Sequence, residues 1–354
     1  MHLNFCMLFV IFSTCTCLPK VLKYIYPYLG GLCMSMTRSN TVEPSPLSRE
    51  GLYRLWVRIK RHKLQLLMIL PTLAQFIIFK WLPVYGITLA FRDYQMTLPT
   101  IGASPWVGFY HFNKLFASPD FLRVFKNTLV LSGLNFLFGF PAPIILALMI
   151  NEIRGNVFKR VSQSLSYLPH FISWIILSGI FMEVLSPTKG PVNAIIKALG
   201  GEPIFFLGDP NWFRPTMVIT NIWKGIGWGS IVYLAALGGI NEELYDAARV
   251  DGCGRFGRII HVTLPGIIPT IVIMLILNAG SIVEDNFDQI FNLQNDGVKA
   301  NVGDVLGTYI YRQGIENWKY SYSTAVEVFR NVIALILVVS TNKISKAVGE
   351  YGLW

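Results

Sequence analysis

Charge is scarce in this sequence. Only 14% of its 354 residues are Asp, Glu, Lys or Arg, whereas 53% are apolar, and ordinary soluble domains carry about 25% charged residues. That shortage excludes a domain surrounded by water and points to an integral membrane protein. Cysteine is scarce too. The five present, Cys6, Cys15, Cys17, Cys33 and Cys253, are odd in number and fit no zinc-ligand spacing, which argues against a disulfide framework and a redox role.

Catalytic signatures are missing as well. The chain has no Gly-x-x-x-x-Gly-Lys-Ser/Thr phosphate loop, no His-Glu-x-x-His, no Gly-x-Ser-x-Gly and no Asp/His/Glu cluster at metal spacing. It is read as no enzyme, with no catalytic residue, metal or cofactor of its own. Any energy source then lies on another subunit or in an ion gradient. The net charge of +10 forms no stripe of the kind that tracks nucleic acid, and its short clusters beside apolar runs instead set membrane topology.

What is present is a series of apolar runs. Residues 3–18 form one of about sixteen residues, short for a span, without the Lys or Arg that precedes a signal peptide. The chain is therefore expected to begin at Met34 or Met36, with residues 1–35 a doubtful extension and 36–63 a cytoplasmic tail. Spans follow at 66–91, 129–150, 165–185, 216–240, 264–283 and 324–340 inside a membrane domain of 64–343, closed by a tail over 344–354. Arg54, Arg58, Lys60, Arg61 and Lys63 precede the first span, and Lys343 and Lys346 follow the last. The positive-inside tendency places both termini in the cytoplasm. The run Gly225-Ile226-Gly227-Trp228-Gly229 follows no strand, so it is no dinucleotide loop; Gly225 and Gly229 suit a small-residue face for close helix packing.

Between the fourth and fifth runs lies a polar, basic stretch, residues 242–265. Asp246-Ala247-Ala248 is followed after three residues by Gly252, then after nine by Val262-Thr263-Leu264-Pro265. This pattern resembles the EAA loop of permease subunits of binding-protein-dependent ABC importers, where Glu-Ala-Ala, Gly and Ile-x-Leu-Pro stand at the same intervals. Asp246, Cys253 and Val262 depart from the family's usual Glu, Ala and Ile, and the contact made by that Glu is the one put in question. The resemblance implies an all-α protein of about six transmembrane helices with the type I, MetI-like importer architecture. It implies a helix-turn-helix that docks on a cytoplasmic ABC ATPase subunit, which hydrolyses the ATP, through Asp246, Ala247, Ala248, Asp251, Gly252, Phe256, Val262, Leu264 and Pro265. It further implies a second permease subunit, an extracytoplasmic solute-binding protein and a bacterial cytoplasmic membrane around them.

Outside the loop, Phe79 to Gly86, Gly108-Phe109-Tyr110, residues 121–129 and Tyr167-Leu168-Pro169 resemble the carbohydrate-uptake permeases, particularly the oligosaccharide and polysaccharide type. A sugar offers apolar ring faces to aromatics and hydroxyls to amides, which makes Asn221, Trp223, Trp228, Tyr233 and Asn278 candidates for a solute pathway. Helix contact or interface anchoring is the alternative for each. Glu327 and Arg330, three apart on the last run, are expected to pair with each other. A non-sugar solute such as a peptide remains the alternative cargo. An ion-driven transporter would place ionisable residues near the midplane of repeated halves, and Lys80, Glu183, Lys224 and Glu327 are too scattered for that.

Overall fold

In the computed structural model, residues 60–95, 97–98 and 100–347 are described. The expectations for residues 1–35, and those for 36–59 and 348–354 of the two tails, lie outside the described residues. Among the described residues the chain is helical, with one isolated β-bridge between Arg92 and Trp106. It divides into two units, before and after residue 88.

The first unit is described by helix α1, Lys63–Phe76, whose helical path runs on through Ile77–Trp81 and as far as Thr88. Its side chains Leu64, Met68, Leu73, Ile78 and Leu82 are exposed. Such a surface is stable only against lipid or another apolar face.

The second unit begins with an aromatic knot, in which Phe91 stacks on Trp106 at 5.5 Å and meets Phe109 edge-on at 5.6 Å. Its helices are α2 (Tyr110–Phe116), α3 (Pro119–Gly139), α4 (Pro141–Asn151), α5 (Asn156–Tyr167), α6 (Trp174–Val184), α7 (Pro191–Ala198) and α8 (Pro210–Leu237). They continue with α9 (Glu242–Val250), α10 (Arg255–Arg258), α11 (Leu264–Ala279), α12 (Phe287–Leu293), α13 (Leu306–Tyr311) and α14 (Tyr320–Ala347). Local chemistry sets the starts. Ser118 caps α3 by accepting from the Phe121 N–H, and Asp209 caps α8 by accepting from the Asn211 N–H at 2.8 Å, each followed by a proline in the first turn. Pro141 opens α4 in the same way and accounts for the joint at Phe140.

Among the described residues, four helical stretches are long and apolar enough to cross a membrane: Lys63–Phe91, Pro119–Asn151, Arg255–Val283 and Tyr320–Ala347. The third expected span differs from a straight helix. It consists of Asn156–Phe171 and Trp174–Val184, bent by 102°, and counts as a fifth span only if the pair is taken as one. The fourth, expected over 216–240, lies in α8. That helix has 28 residues, but Arg214, Asn221, Lys224 and its glycines keep it outside the strongly apolar set.

The bend is explained by what surrounds it. Pro169 contributes no N–H, and the turn leaves carbonyls without helical partners. Lys224 of α8 supplies them: its Nζ donates to the carbonyls of Pro169 at 3.4 Å, His170 at 3.0 Å and Ile172. The Trp174 ring lies 5.4 Å from the same ammonium, and Ser173 then restarts the helix by accepting from the Ile176 N–H. Gly227 lets the backbones approach, since a Cβ there would lie 2.0 Å from the Ser166 carbonyl oxygen. Gly229 meets Pro143 of α4 at 2.9 Å by the same measure, whereas Gly225 has nothing within 4 Å. The close-packing pair is thus Gly227 and Gly229, and Gly225 plays no part in it.

Three buried clusters hold the second unit. One joins α3, α8 and α12 around Leu131, Phe213, Met217 and Ile290. A second joins α2, α3, α13 and α14 around Leu115, Phe121, Leu306 and Val326. The third, nearest the 242–265 loop, joins α4, α8 and α11 through Ala147, Tyr233, Leu237 and Ile267.

Candidate coupling and transport sites

The polar loop folds as a short helix, a tight turn and a second helix. Asn241 caps α9 by accepting from the Glu243 N–H at 3.1 Å, with Glu242 and Glu243 in the first turn and Arg249 in the last, as the helix dipole favours. The helix ends on Gly252, whose φ of 78° is the left-handed conformation. The Gly252 N–H donates to the Arg249 carbonyl at 3.1 Å and the Cys253 N–H to the Ala248 carbonyl at 2.9 Å, the paired bonds of a Schellman cap. Nothing lies within 4 Å of a Cβ at Gly252. Glycine is required here for its backbone conformation, and the space beside it is open.

Of the residues expected to dock a partner, Ala247, Asp251, Phe256, Leu264 and Pro265 are exposed and Val262 is half-buried. Ala248 faces inward. Phe256 is 82% exposed and Val250 88%, an apolar display that has no covering element among the described residues. Asp246 forms an ion pair with Arg249 of its own helix at 2.7 Å. Its shorter stem is therefore used locally, within the turn of α9. One contact ties the two halves of the loop together, and another fixes the loop to the rest of the unit. The Tyr245 hydroxyl meets that of Thr263 at 3.2 Å, and Arg255 reaches Glu152, at the end of α4, at 3.6 Å. The second helix of the loop does not end within 242–265; from Arg255 it runs without interruption to Val283 as one span.

The pathway candidates separate into two groups. Asn221 sits in a row of amides from three elements. Its Nδ2 donates to Asn135 Oδ1 of α3 at 3.1 Å, and its Oδ1 accepts from Asn286 Nδ2 at 3.1 Å. Trp223 is partly exposed beside Phe181 at 5.7 Å, and Trp228 stacks on His170 at 4.6 Å with planes 2° apart. All three lie on α8. Tyr233 instead is 2% exposed within the third apolar cluster, a packing position. Asn278 donates to the Met274 carbonyl of its own helix at 2.7 Å and is not brought into the amide row.

Sequence reasoning missed Asn135, Asn286 and His170. Asn135 was legible as an amide inside an apolar run; the other two needed the fold. It also missed a buried pair, Asp304 with Arg312, in which Asp304 is 1% exposed and further accepts from Thr308 at 2.8 Å. The expected Glu327–Arg330 pair is present at 2.8 Å. Near it, Asp285 accepts from the Gly307 N–H at 2.7 Å with one carboxylate oxygen, while the other is enclosed without a partner. Although the residue is partly exposed, its carboxyl is not. Burial pushes its pKa up to about 6 against the pull of Arg330 and the Gly307 N–H.

Residues 139–349, over half of the chain and including the whole loop, match the family described as binding-protein-dependent transport system inner membrane component. The chain belongs to this family. Protein LplB of Bacillus subtilis (strain 168) is 45% identical over 298 residues, 84% of this chain and 92% of the relative. The polygalacturonan/rhamnogalacturonan transport system permease protein YteP of the same organism is 42% identical over 306 residues, 86% and 95% of the two chains. Among solved structures, a bacterial ABC transporter importing the acidic polysaccharide alginate contains a chain 44% identical. It has a TM-score of 0.76 and the match covers 83% of this chain and 99% of that one. The alginate transporter bound to a periplasmic protein carrying an alginate pentasaccharide gives 43%, 0.77, 85% and 100%. This inner-membrane component is thus a multi-pass, all-α transport protein of the importer-permease type.

Proposed function

We propose that this inner-membrane component is the permease subunit of an ATP-driven importer that carries a sugar or oligosaccharide across the bacterial cytoplasmic membrane. The observation that carries this reading is the continuity of α8 with the loop. One helix holds Asn221, Trp223 and Trp228 and, with four residues between, is followed by the capped helix α9. In this reading Phe256, Ala247 and their exposed neighbours form the docking face for a cytoplasmic ATPase, which hydrolyses the ATP. The loop and both termini lie on the cytoplasmic side, and the segments on the other side meet a solute-binding protein. A second permease subunit completes the pathway.

The chemistry agrees with a saccharide. Amides joined end to end present donors and acceptors for hydroxyls, and the indole faces of Trp223 and Trp228 suit the apolar faces of sugar rings. The names of the relative YteP and of the alginate transporters support the same class of cargo. Docking at the loop would reach the helices by two routes, through α9 to α8 and through α10 directly into α11, with the Arg255–Glu152 pair linking α4.

Reconstitution in vesicles with the second permease, the ATPase and a saccharide-loaded binding protein tests this. Uptake should require ATP and persist with an uncoupler. Uptake abolished by the uncoupler at constant ATP would favour ion-driven transport and overturn the proposal.

A further inference from the structure

We infer that the base of α5 holds the headgroup of an anionic phospholipid beside the coupling loop, and that this lipid supports transport. The starting point is a helix whose faces are reversed. On α5, Val157, Phe158, Val161 and Leu165 recur at the spacing of one helix side, and all four are exposed, Val157 at 78% and Leu165 at 65%. The opposite side is polar and half-buried. It carries Ser162, Gln163 and Ser166, and the Ser166 carbonyl closely approaches Gly227 of α8. An apolar side turned outward needs an apolar cover, from lipid or from protein.

Charge decides between the two covers. Arg154 and Arg160 are exposed and Lys159 is half-buried where the helix starts, and no ion pair among the described residues uses any of them. From residue 139 to 182 the sequence has a single carboxylate, Glu152, and it is already paired with Arg255 of the loop at 3.6 Å. A protein surface laid over this helix would have to bring the missing acids with it, whereas an anionic leaflet supplies phosphates all along its plane. Arginine stems lie on apolar surface while their heads reach the headgroup layer. A lipid with its phosphate at Arg154 and Arg160 therefore lays its chains along Val157, Phe158, Val161 and Leu165.

Such a lipid is placed to act on transport. The far end of α5 is fixed to α8 by the Gly227 approach and by the carbonyls that Lys224 holds, and its near end adjoins the Arg255–Glu152 pair that ties the loop to α4. A phosphate set among these cations relieves their mutual repulsion and leaves Glu152 to Arg255. The tie between loop and helices is then firmer in an anionic bilayer.

The complete importer in proteoliposomes provides the test, with two readouts. Vesicles are made of phosphatidylcholine alone or of an equal mixture with phosphatidylglycerol, and each lipid is also used in a photoreactive form. Crosslinks from photoreactive phosphatidylglycerol, mapped by mass spectrometry, should fall within residues 154–165. Arg154→Gln with Arg160→Gln should lower them at least about fivefold, while Arg154→Lys with Arg160→Lys retains them. ATP-dependent uptake per assembled wild-type importer should be about fivefold faster in the mixture than in phosphatidylcholine. The Gln variant should match wild type in phosphatidylcholine and gain nothing from the mixture. Equal labelling of wild type and Gln variant, or equal labelling by the two photoreactive lipids, would overturn the anionic site. Absence of lipid label from α5 would overturn it too and assign the face to the second permease. Labelling as expected with no gain in uptake would overturn the role in transport. Failure of uptake in every vesicle would count against the importer reading instead, and the labelling would still decide the lipid site.

Discussion

Two glycines two residues apart in sequence illustrate how a single side-chain atom is decided by its surroundings. A methyl at Gly227 would lie 2.0 Å from the Ser166 carbonyl oxygen, whereas one at Gly225 meets nothing within 4 Å. Gly225→Ala should therefore stabilise by up to about 1 kcal/mol through helix propensity alone. Gly227→Ala should destabilise by about 1–3 kcal/mol or more, because backbone must move. Thermal melting of the detergent-solubilised protein compares the two directly, and equal effects would contradict the packing described. Asp285 offers a second residue-level test. Its folded pKa of about 6 lies above the ordinary 3.8, so the folded state keeps a proton that the unfolded chain has released. Stability therefore falls as pH rises between about 4 and 6 and is level above that window. The size is at most about 3 kcal/mol. Asp285→Asn should flatten the melting temperature over this range, and an unchanged slope in that variant would remove Asp285 as its source.

At the scale of elements, the helix-turn-helix is the most legible part of the chain. Gly252 has one favoured place in such a unit, so the turn could be read from spacing, whereas the cap at Asn241 and the unbroken run of helix past Pro265 emerged from the fold. The ion pair between Asp246 and Arg249 could not, because the departure from Glu was visible but its new partner was not. The bend between α5 and α6 was hidden for another reason. Its apolar residues give the same signal as a straight span, and the decisive partner, Lys224, lies more than fifty residues away in sequence. We expect Gly252→Glu, which forces a bulky side chain into the left-handed turn at the proposed docking face, and Ala248→Arg, which puts a long cation on the buried side of α9, to leave an inserted protein. Neither should recover the ATPase on co-purification nor support uptake. Wild-type uptake by either variant would sink the coupling role of the loop.

For the molecule as a whole, composition alone indicated membrane, and the apolar runs overlapped helices that extend beyond them, by as much as ten residues where Pro119 precedes the expected start at 129. Their count was less secure. α8 fails as a strongly apolar span because it carries the amides, cations and glycines that suit a pathway helix, so functional content and membrane signal compete in the same residues. The candidates for the pathway divided accordingly: Asn221, Trp223 and Trp228 share α8's polar region, while Tyr233 belongs to packing. The arrangement also bears on how mutations combine. From Pro210 to Leu237 the chain is one helix of 28 residues, so the floor of the proposed solute path and the shaft that meets the loop are a single rod. Turning the rod at its loop end presents a different set of side chains along its length. Defects in solute choice and defects in energy use should then be inseparable in α8, and pairs of substitutions at its two ends should combine non-additively.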